Sequence, residues 1–385
     1  FDDKIFAQRI LSLVLHLITA YALYALIKQI SDRAAPHPNN DRSAIAAALL
    51  FVLHPLTVYA AGYLIQRTIV MATLFGLLCL NTYIDGLITR RKGYFVFSTL
   101  FYFLSAYSKE HALLMPAAAL ALTPLVVSRE KLFRRETLLQ IALPMALYAP
   151  VFMLVVMEKL GLLGRPYEAL VDQLFDAQEL AQDKNVLWLL SVMTQSALYF
   201  KYMLLAMIPN PDWMSVDMRA PFARRLTEPK YLFFATGVLV YAAVALRYLF
   251  KGGRTGIVGF ALLAPLLMFC VEFSTVRLQE PFVLYRTYLW IPFLFLLTPV
   301  LTNDLTEKWF WPLVLGTALA FAAISTDRLR SFSSDYALWD DAVKKLPDEV
   351  TPGTARAYNN RGRAKLRLGD AKGAIKDCKI GRAHV

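Results

Sequence analysis

The chain has 385 residues, of which 57% are apolar and 18% charged, with a mean hydropathy of +0.45. A soluble domain carries about 45–50% apolar and about 25% charged residues, so neither a single water-soluble domain nor a disordered chain fits. The net charge of +12 (41 basic, 29 acidic) is therefore read first as a marker of membrane orientation rather than of nucleic-acid binding.

A spanning helix needs about 20 mostly apolar residues. In chain order, spans are predicted near 5–30, 43–63, 68–88, 93–108, 111–127, 136–158, 230–250, 255–274, 283–302 and 308–326. A further apolar stretch, 185–208, contains Gln195, Ser196 and Lys201 and ends in Pro209-Asn210-Pro211. The short basic turns 89–92, 129–135 and 251–254 should face the cytoplasm. Two spans separate the last two of these, which places 185–208 outside as a helix that does not cross. Residues 159–229 then form one outer loop, acidic at Glu168, Asp172, Asp176, Glu179 and Asp183. The outer turns are 64–67, 108–111 and 275–282, and the chain after about 327 is also outside.

Cys79, Cys270 and Cys378 lie far apart, with no CxxC and no Cys/His cluster, so neither a disulfide framework nor a zinc site is indicated. The chain starts at Phe1 rather than Met, and its last six residues, 380–385 (IGRAHV), read as a translated sequencing adapter. The expectation is a fragment with a non-native tail. From Arg328 the pattern turns polar and amphipathic. Trp339, Ala342 and Pro347, then Ala357-Tyr358-Asn359-Asn360-Arg361-Gly362 with Gly369 and Ala374, predict the start of a tetratricopeptide-repeat array over 328–379. An unrelated amphipathic hairpin is the alternative. Three regions result: a polytopic part at 1–327, the repeat region, and the tail.

The unusual chemistry sits in the outer turns. His54-Pro55 breaks a span near its outer end, and Gln66-Arg67 follows. Arg67 suits an anionic head group, because a guanidinium matches phosphate bidentately, or it snorkels to the lipid surface. Lys109 and Glu110, in Ser108-Lys109-Glu110-His111, sit between two short spans, where ionisable groups are costly. Lys109 is a candidate phosphate holder and Glu110 a base or a support for Lys109; a mutual ion pair is the plain alternative. Arg277, Gln279 and Glu280 occupy another outer turn, and Arg286 and Tyr288 follow inside the next span. Arg286 faces either a ligand or a carboxylate such as Glu280 or Glu272. Asp212 beside Trp213 offers an outward carboxylate next to a ring able to stack on a sugar, or simply a turn. Asp2 and Asp3 are weaker outward carboxylates. The sequence has no phosphate-binding loop, GxSxG, HExxH or Rossmann glycine pattern.

Taken in order, His54-Pro55, Gln66-Arg67, Ser108-Lys109-Glu110, Pro209 to Trp213, Glu280 through Tyr288-Leu289, and Trp339 leading into the repeats resemble bacterial relatives of the transmembrane-and-tetratricopeptide-repeat O-mannosyltransferases. Those proteins belong to the membrane glycosyltransferases of the C-type fold. The resemblance implies an all-α polytopic bundle in a bacterial cytoplasmic membrane, with an extracytoplasmic repeat region. It implies a polyprenyl-phosphate-linked sugar as donor and a protein or glycan hydroxyl as acceptor; the repeats are expected to bind an extended acceptor polypeptide or a partner protein. Arg67, Lys109 and Arg286 would hold phosphate or sugar, with Glu110 supporting Lys109, and Tyr288, His54 and Asp212 would be further substrate-binding residues. The family's catalytic carboxylate is expected in a first outer loop upstream of Phe1. The position four residues after Pro55, often Glu in the family, is Tyr59 here. The resemblance fixes no particular cofactor, and a divalent cation is compatible with it. The other classes considered are a transporter or flippase of lipid-linked glycans and a membrane-anchored repeat scaffold.

Overall fold

A computed structural model describes residues 3–165, 186–278, 280–347, 351 and 353–383. The acidic run from Glu168 to Asp183, and Asp2 and Gln279, lie outside the described residues. Among those residues the chain is all-helical, with no strand and one isolated backbone bridge, Met218 to Phe282.

The helices are α1 (Asp3–Ala34), α2 (Asn40–Leu53), α3 (Val58–Ala61), α4 (Arg67–Thr89), α5 (Lys92–Ser108), α6 (Met115–Val126), α7 (Arg129–Leu132), α8 (Arg135–Lys159), α9 (Leu187–Met207), α10 (Pro229–Lys251), α11 (Gly253–Phe269), α12 (Thr287–Leu294), α13 (Leu297–Thr302), α14 (Glu307–Ser331), α15 (Asp335–Lys344), α16 (Thr354–Arg367) and α17 (Ala371–Ala383). Among the described residues six segments are long and apolar enough to cross a membrane: Ile5–Ala34, Leu64–Thr89, Arg135–Leu162, Pro229–Lys251, Gly253–Ser274 and Glu307–Ser331. A seventh arises if Asn40–Leu53 and Pro55–Ala61, bent by 50°, count as one.

This is fewer than the ten spans expected, and the reasons are local. The 93–108 stretch yields a 17-residue helix and 111–127 an apolar segment, Glu110–Val126, also under 18 residues. The 283–302 stretch breaks into the turn Leu284–Arg286, α12 and α13. Helix α9 forms where a non-crossing helix was expected and is not among the segments apolar enough to span.

The described chain divides into two compact units. The first holds Phe1–Leu160, Val240–Val271 and Arg286–Ala322; the second holds Gly161–Leu239, Glu272–Tyr285 and Ala323–Val385. Within the first, α1 shows the inverted amphipathicity of a lipid-facing helix. Its buried stripe carries Ser12, His16 and Thr19 beside Leu23, Leu26 and Ile30, while Leu13, Leu17 and Tyr21 are exposed. Polar groups turned inward find partners there, and apolar groups turned outward suit hydrocarbon. Tight backbone approach also marks this unit. A Cβ on Gly259 of α11 would lie 2.1 Å from the backbone nitrogen of Leu249 in α10, so only glycine lets the two helices meet there.

In the second unit, α16 and α17 form a helical hairpin through Leu368-Gly369-Asp370. A Cβ on Gly362 would be 3.3 Å from the Ala374 carbonyl and 3.4 Å from Cys378, the close approach expected from the small residues. Arg361 of α16 bonds Asp377 of α17 (2.8–2.9 Å) and Asp340 of α15 (3.0 Å), and Lys365 reaches Asp377 at 2.9 Å. Burial would raise the Asp377 carboxyl, but hydrogen bonds from Arg361 and Lys365 outweigh it and hold the group below its usual range.

Candidate functional site

In the first unit the clearest built feature is the break at His54-Pro55. Pro55 has no N–H, and the Leu56 N–H, the helical donor for Val52 O, is turned instead to His54 Nδ1 at 3.2 Å. Within an apolar protein the Val52 carbonyl then needs another donor. His16 supplies it, with Nε2 3.2 Å from Val52 O. A carbonyl only accepts, so His16 carries its proton on Nε2. Its Nδ1 is then an acceptor, and the Tyr288 hydroxyl donates to it at 2.6 Å. Thr73 Oγ1 donates to the Tyr288 carbonyl at 3.3 Å. The rings of His16, Phe51 and Tyr288 lie 5.4–5.6 Å apart in pairs. Three segments distant in sequence are thereby fastened around the opened helix.

Each residue named from the sequence can now be placed. His54 is 1% exposed, accepts from Leu56 N, and packs edge-on to Phe321 (4.7 Å) and Phe295 (5.9 Å). Tyr288 is fully buried in the His16 pair. Arg67, at the start of α4, donates from Nε to Ser12 Oγ (3.1 Å) and from Nη2 to Gln8 O (3.0 Å). Two of its five N–H donors thus fasten α4 to α1. Arg286 ends the turn Leu284–Arg286 and precedes α12, 5% exposed. A buried cation at a helix start opposes the helix dipole, so its position is costly.

Lys109 takes an extended conformation between α5 and the turn Glu110–Leu114, its N–H closing on Ser105 O at 3.1 Å. Glu110 lies 3.5 Å from Nδ1 of the buried His111. Burial would raise the Glu110 carboxyl, but the hydrogen bond and charge of His111 and the charge of Lys109 prevail, holding it well below the usual carboxylate range. A carboxylate held that low is a poor general base and a good fixed counter-charge.

Asp212 and Trp213 belong to the second unit, in the turn Pro211–Trp213. Asn210 Oδ1 accepts from Asp212 N at 3.0 Å, and both Asp212 and Trp213 are exposed. Glu272 and Glu280, weighed above as partners of Arg286, form ion pairs with Arg277 (3.0 Å) and Arg356 respectively. Asp3 opens α1. Among the described residues no group of three or more His, Cys, Asp or Glu side chains is arranged to hold a metal ion.

Two features went unnoticed in the sequence. His16 was visible as an ionisable residue inside an apolar run, the usual signal of a site or a structural polar bond in a membrane protein. The second is the clasp on residues 214–219. Arg328 Nη1 and Lys345 Nζ both donate to Met214 O (2.8 and 3.0 Å) and share Asp341. Arg219 pairs with Asp217 at 2.6 Å, both side chains buried. No local pattern announces the two bonds to Met214 O, which join segments over a hundred residues apart, or the Arg219–Asp217 pair in an irregular loop.

Compared with known proteins, the chain matches no protein-family model and no curated protein sequence.

Proposed function

We propose that this chain is part of an integral-membrane glycosyltransferase that moves a sugar from a polyprenyl-phosphate-linked donor to a hydroxyl acceptor on the extracytoplasmic side of a bacterial cytoplasmic membrane. The observation that carries the reading is the placement of Arg286 and Lys109 at breaks between apolar helices of one unit. Cations fixed at such positions stabilise the charge that develops on a leaving lipid phosphate. Lys109 is the phosphate contact, and ionised Glu110 sets its position as a counter-charge. Arg286 is the second cation. Arg67 contributes chiefly by fastening α4 to α1, and His16, His54 and Tyr288 hold the opened helix at Pro55.

The acceptor hydroxyl needs a general base, which the family resemblance assigns to a carboxylate of an outer loop. The helices after Arg328 are proposed as the beginning of a tetratricopeptide-repeat array that receives an extended acceptor polypeptide. Their integration with residues 214–219 supports a role close to the outer loop. The test is transfer of labelled sugar from a panel of polyprenyl-phospho-sugars by the full-length protein in proteoliposomes. The reading expects acceptor labelling with release of polyprenyl phosphate. Flipping of the donor without cleavage would favour the transporter class.

A further inference from the structure

Among the described residues Lys201 is a cation with no counter-charge beside it. It lies near the end of α9, half-buried, with its Nζ 4.7 Å from the centre of the Phe282 ring. Among the described residues no carboxylate or carbonyl accepts from that ammonium group. Phe282 is held firmly beneath it. Gln195 donates to Pro281 O at 3.0 Å, Met218 bridges Phe282 through the backbone, and the Tyr202 ring packs at 4.3 Å. The Tyr202 hydroxyl also bonds both the N–H and the carbonyl of Val283 (2.5 and 3.1 Å). Gln195, Tyr202 and Lys201 project from the same helix, so cation and platform are fixed as one piece.

Among the described residues the charge that acts on Lys201 is another cation. Lys230 opens α10, exposed, and its charge acts on Lys201. Burial first, and then Lys230, lower the Lys201 ammonium from its usual range. Glu228, the carboxylate nearest in sequence, caps the backbone by accepting from Arg224 N and Arg225 N (2.5 and 2.8 Å). The register is set by Phe200, whose ring lies 5.7 Å from Phe234 and 3.3 Å from where a Cβ on Gly237 would stand. Four residues of helix separate Lys230 from that level, about 6 Å, a span the flexible lysine stem covers.

The surface below the two lysines is apolar and outward-facing: on α10, Leu232, Phe233 and Leu239 are 45%, 73% and 72% exposed. Helix α10 is one of the segments apolar enough to span a membrane, so Lys230 marks its polar end. Two ammonium groups at the polar end of a hydrocarbon-facing surface match an anionic phosphate that carries acyl or isoprenoid chains.

We propose that Lys201 and Lys230 form a binding site for the phosphate of an anionic lipid, with Phe282 as the fixed platform beneath Lys201. The inference rests on the membrane-spanning character of α10 and not on transferase activity. The phosphate belongs either to a bulk phospholipid or to a polyprenyl carrier, and the same chemistry serves both. A bound phosphate relieves the repulsion between the lysines and supplies the acceptor that Lys201 does not find among the described residues.

The test is native mass spectrometry of the full-length protein in micelles, titrated separately with phosphatidylglycerol, a polyprenyl phosphate and zwitterionic phosphatidylcholine. Wild type is expected to retain one or both anionic lipids over phosphatidylcholine. Lys201→Gln is expected to weaken that binding about tenfold, the loss of one charge-assisted hydrogen bond, while Lys201→Arg retains it. Loss confined to polyprenyl phosphate identifies a carrier site; loss with both lipids identifies a general phosphate site. Lys230→Gln, at an exposed helix start, keeps the proposal testable if Lys201→Gln does not fold, and is expected to weaken binding severalfold. Absence of anionic preference in wild type, or unchanged binding in folded Lys201→Gln or in Lys230→Gln, overturns it. Sugar transfer without such a preference would overturn this site and leave the transferase reading standing.

Discussion

Replacing His16 with leucine tests the most specific piece of local geometry. Leucine fills similar volume but removes the donor to Val52 O and the acceptor for the Tyr288 hydroxyl. In a water-soluble core, two buried groups left unmade would cost about 1–3 kcal/mol each. In a membrane protein the unfolded reference state also satisfies its polar groups, and measured bonds average about 0.6 kcal/mol with a maximum near 1.7. The expected loss is therefore about 2 kcal/mol, between these limits, because the Val52 carbonyl has lost its helical donor to the turn at His54. Tyr288→Phe removes only one bond and should cost about 1 kcal/mol. The assay is a double-mutant cycle on unfolding of the full chain in mixed micelles. A coupling of about 1 kcal/mol between the two sites is expected. Strict additivity, within about 0.3 kcal/mol, would refute the bonded pair and with it the assignment of the His16 proton to Nε2.

The remaining predictions concern packing and charge. Asp377→Asn leaves Lys365 without its buried counter-charge and Arg361 with Asp340 alone, and should destabilise the α16–α17 hairpin by about 3 kcal/mol; helicity lost at a lower urea concentration checks it. The wild-type Asp377 carboxyl lies below its unfolded value of about 3.9. Its contribution is therefore complete above that pH and lost as pH falls through the lower folded value, so hairpin stability should decline only below about pH 4. Gly259→Ala places a Cβ 2.1 Å from the Leu249 nitrogen, and overpacking should cost about 2 kcal/mol or more in thermal unfolding. Gly353→Ala meets both a φ of +79° and Arg219 Nη1 at 2.2 Å; a loss of about 1–2 kcal/mol, together with altered protection of residues 214–219 in hydrogen exchange, is expected.

The helical and apolar character of this chain was legible because composition and long apolar runs report directly on burial in lipid. The change at Arg328 was legible for the same reason, as hydropathy gives way to amphipathic charge. The bend at His54-Pro55 was signalled by proline, and so was the fragmentation of 283–302, where Pro292 and Pro299 sit inside the expected span. The means by which the bend is held was hidden. His16 acts on Val52 from 36 residues away, and no window of sequence reports such a pair. The grouping of 328–383 with the loop around Met214 and Arg219 was hidden too, because it depends on Arg328 and Lys345 converging on one carbonyl. Among the candidate cations, position alone could not separate Arg67, which fastens two helices, from Lys109, which stands beside a fixed carboxylate. That distinction depends on where the side chains end.

The central claim is tested most directly by following release of polyprenyl phosphate from a polyprenyl-phospho-sugar by the full-length protein with a hydroxyl acceptor, comparing wild type with Arg286→Ala and Lys109→Gln. The account predicts release coupled one-to-one to acceptor labelling in wild type. It predicts a fall of about a hundredfold or more in each variant at unchanged folding, the scale on which a preorganised charge-stabilising group acts. Release and labelling that proceed at the wild-type rate in both folded variants would contradict it.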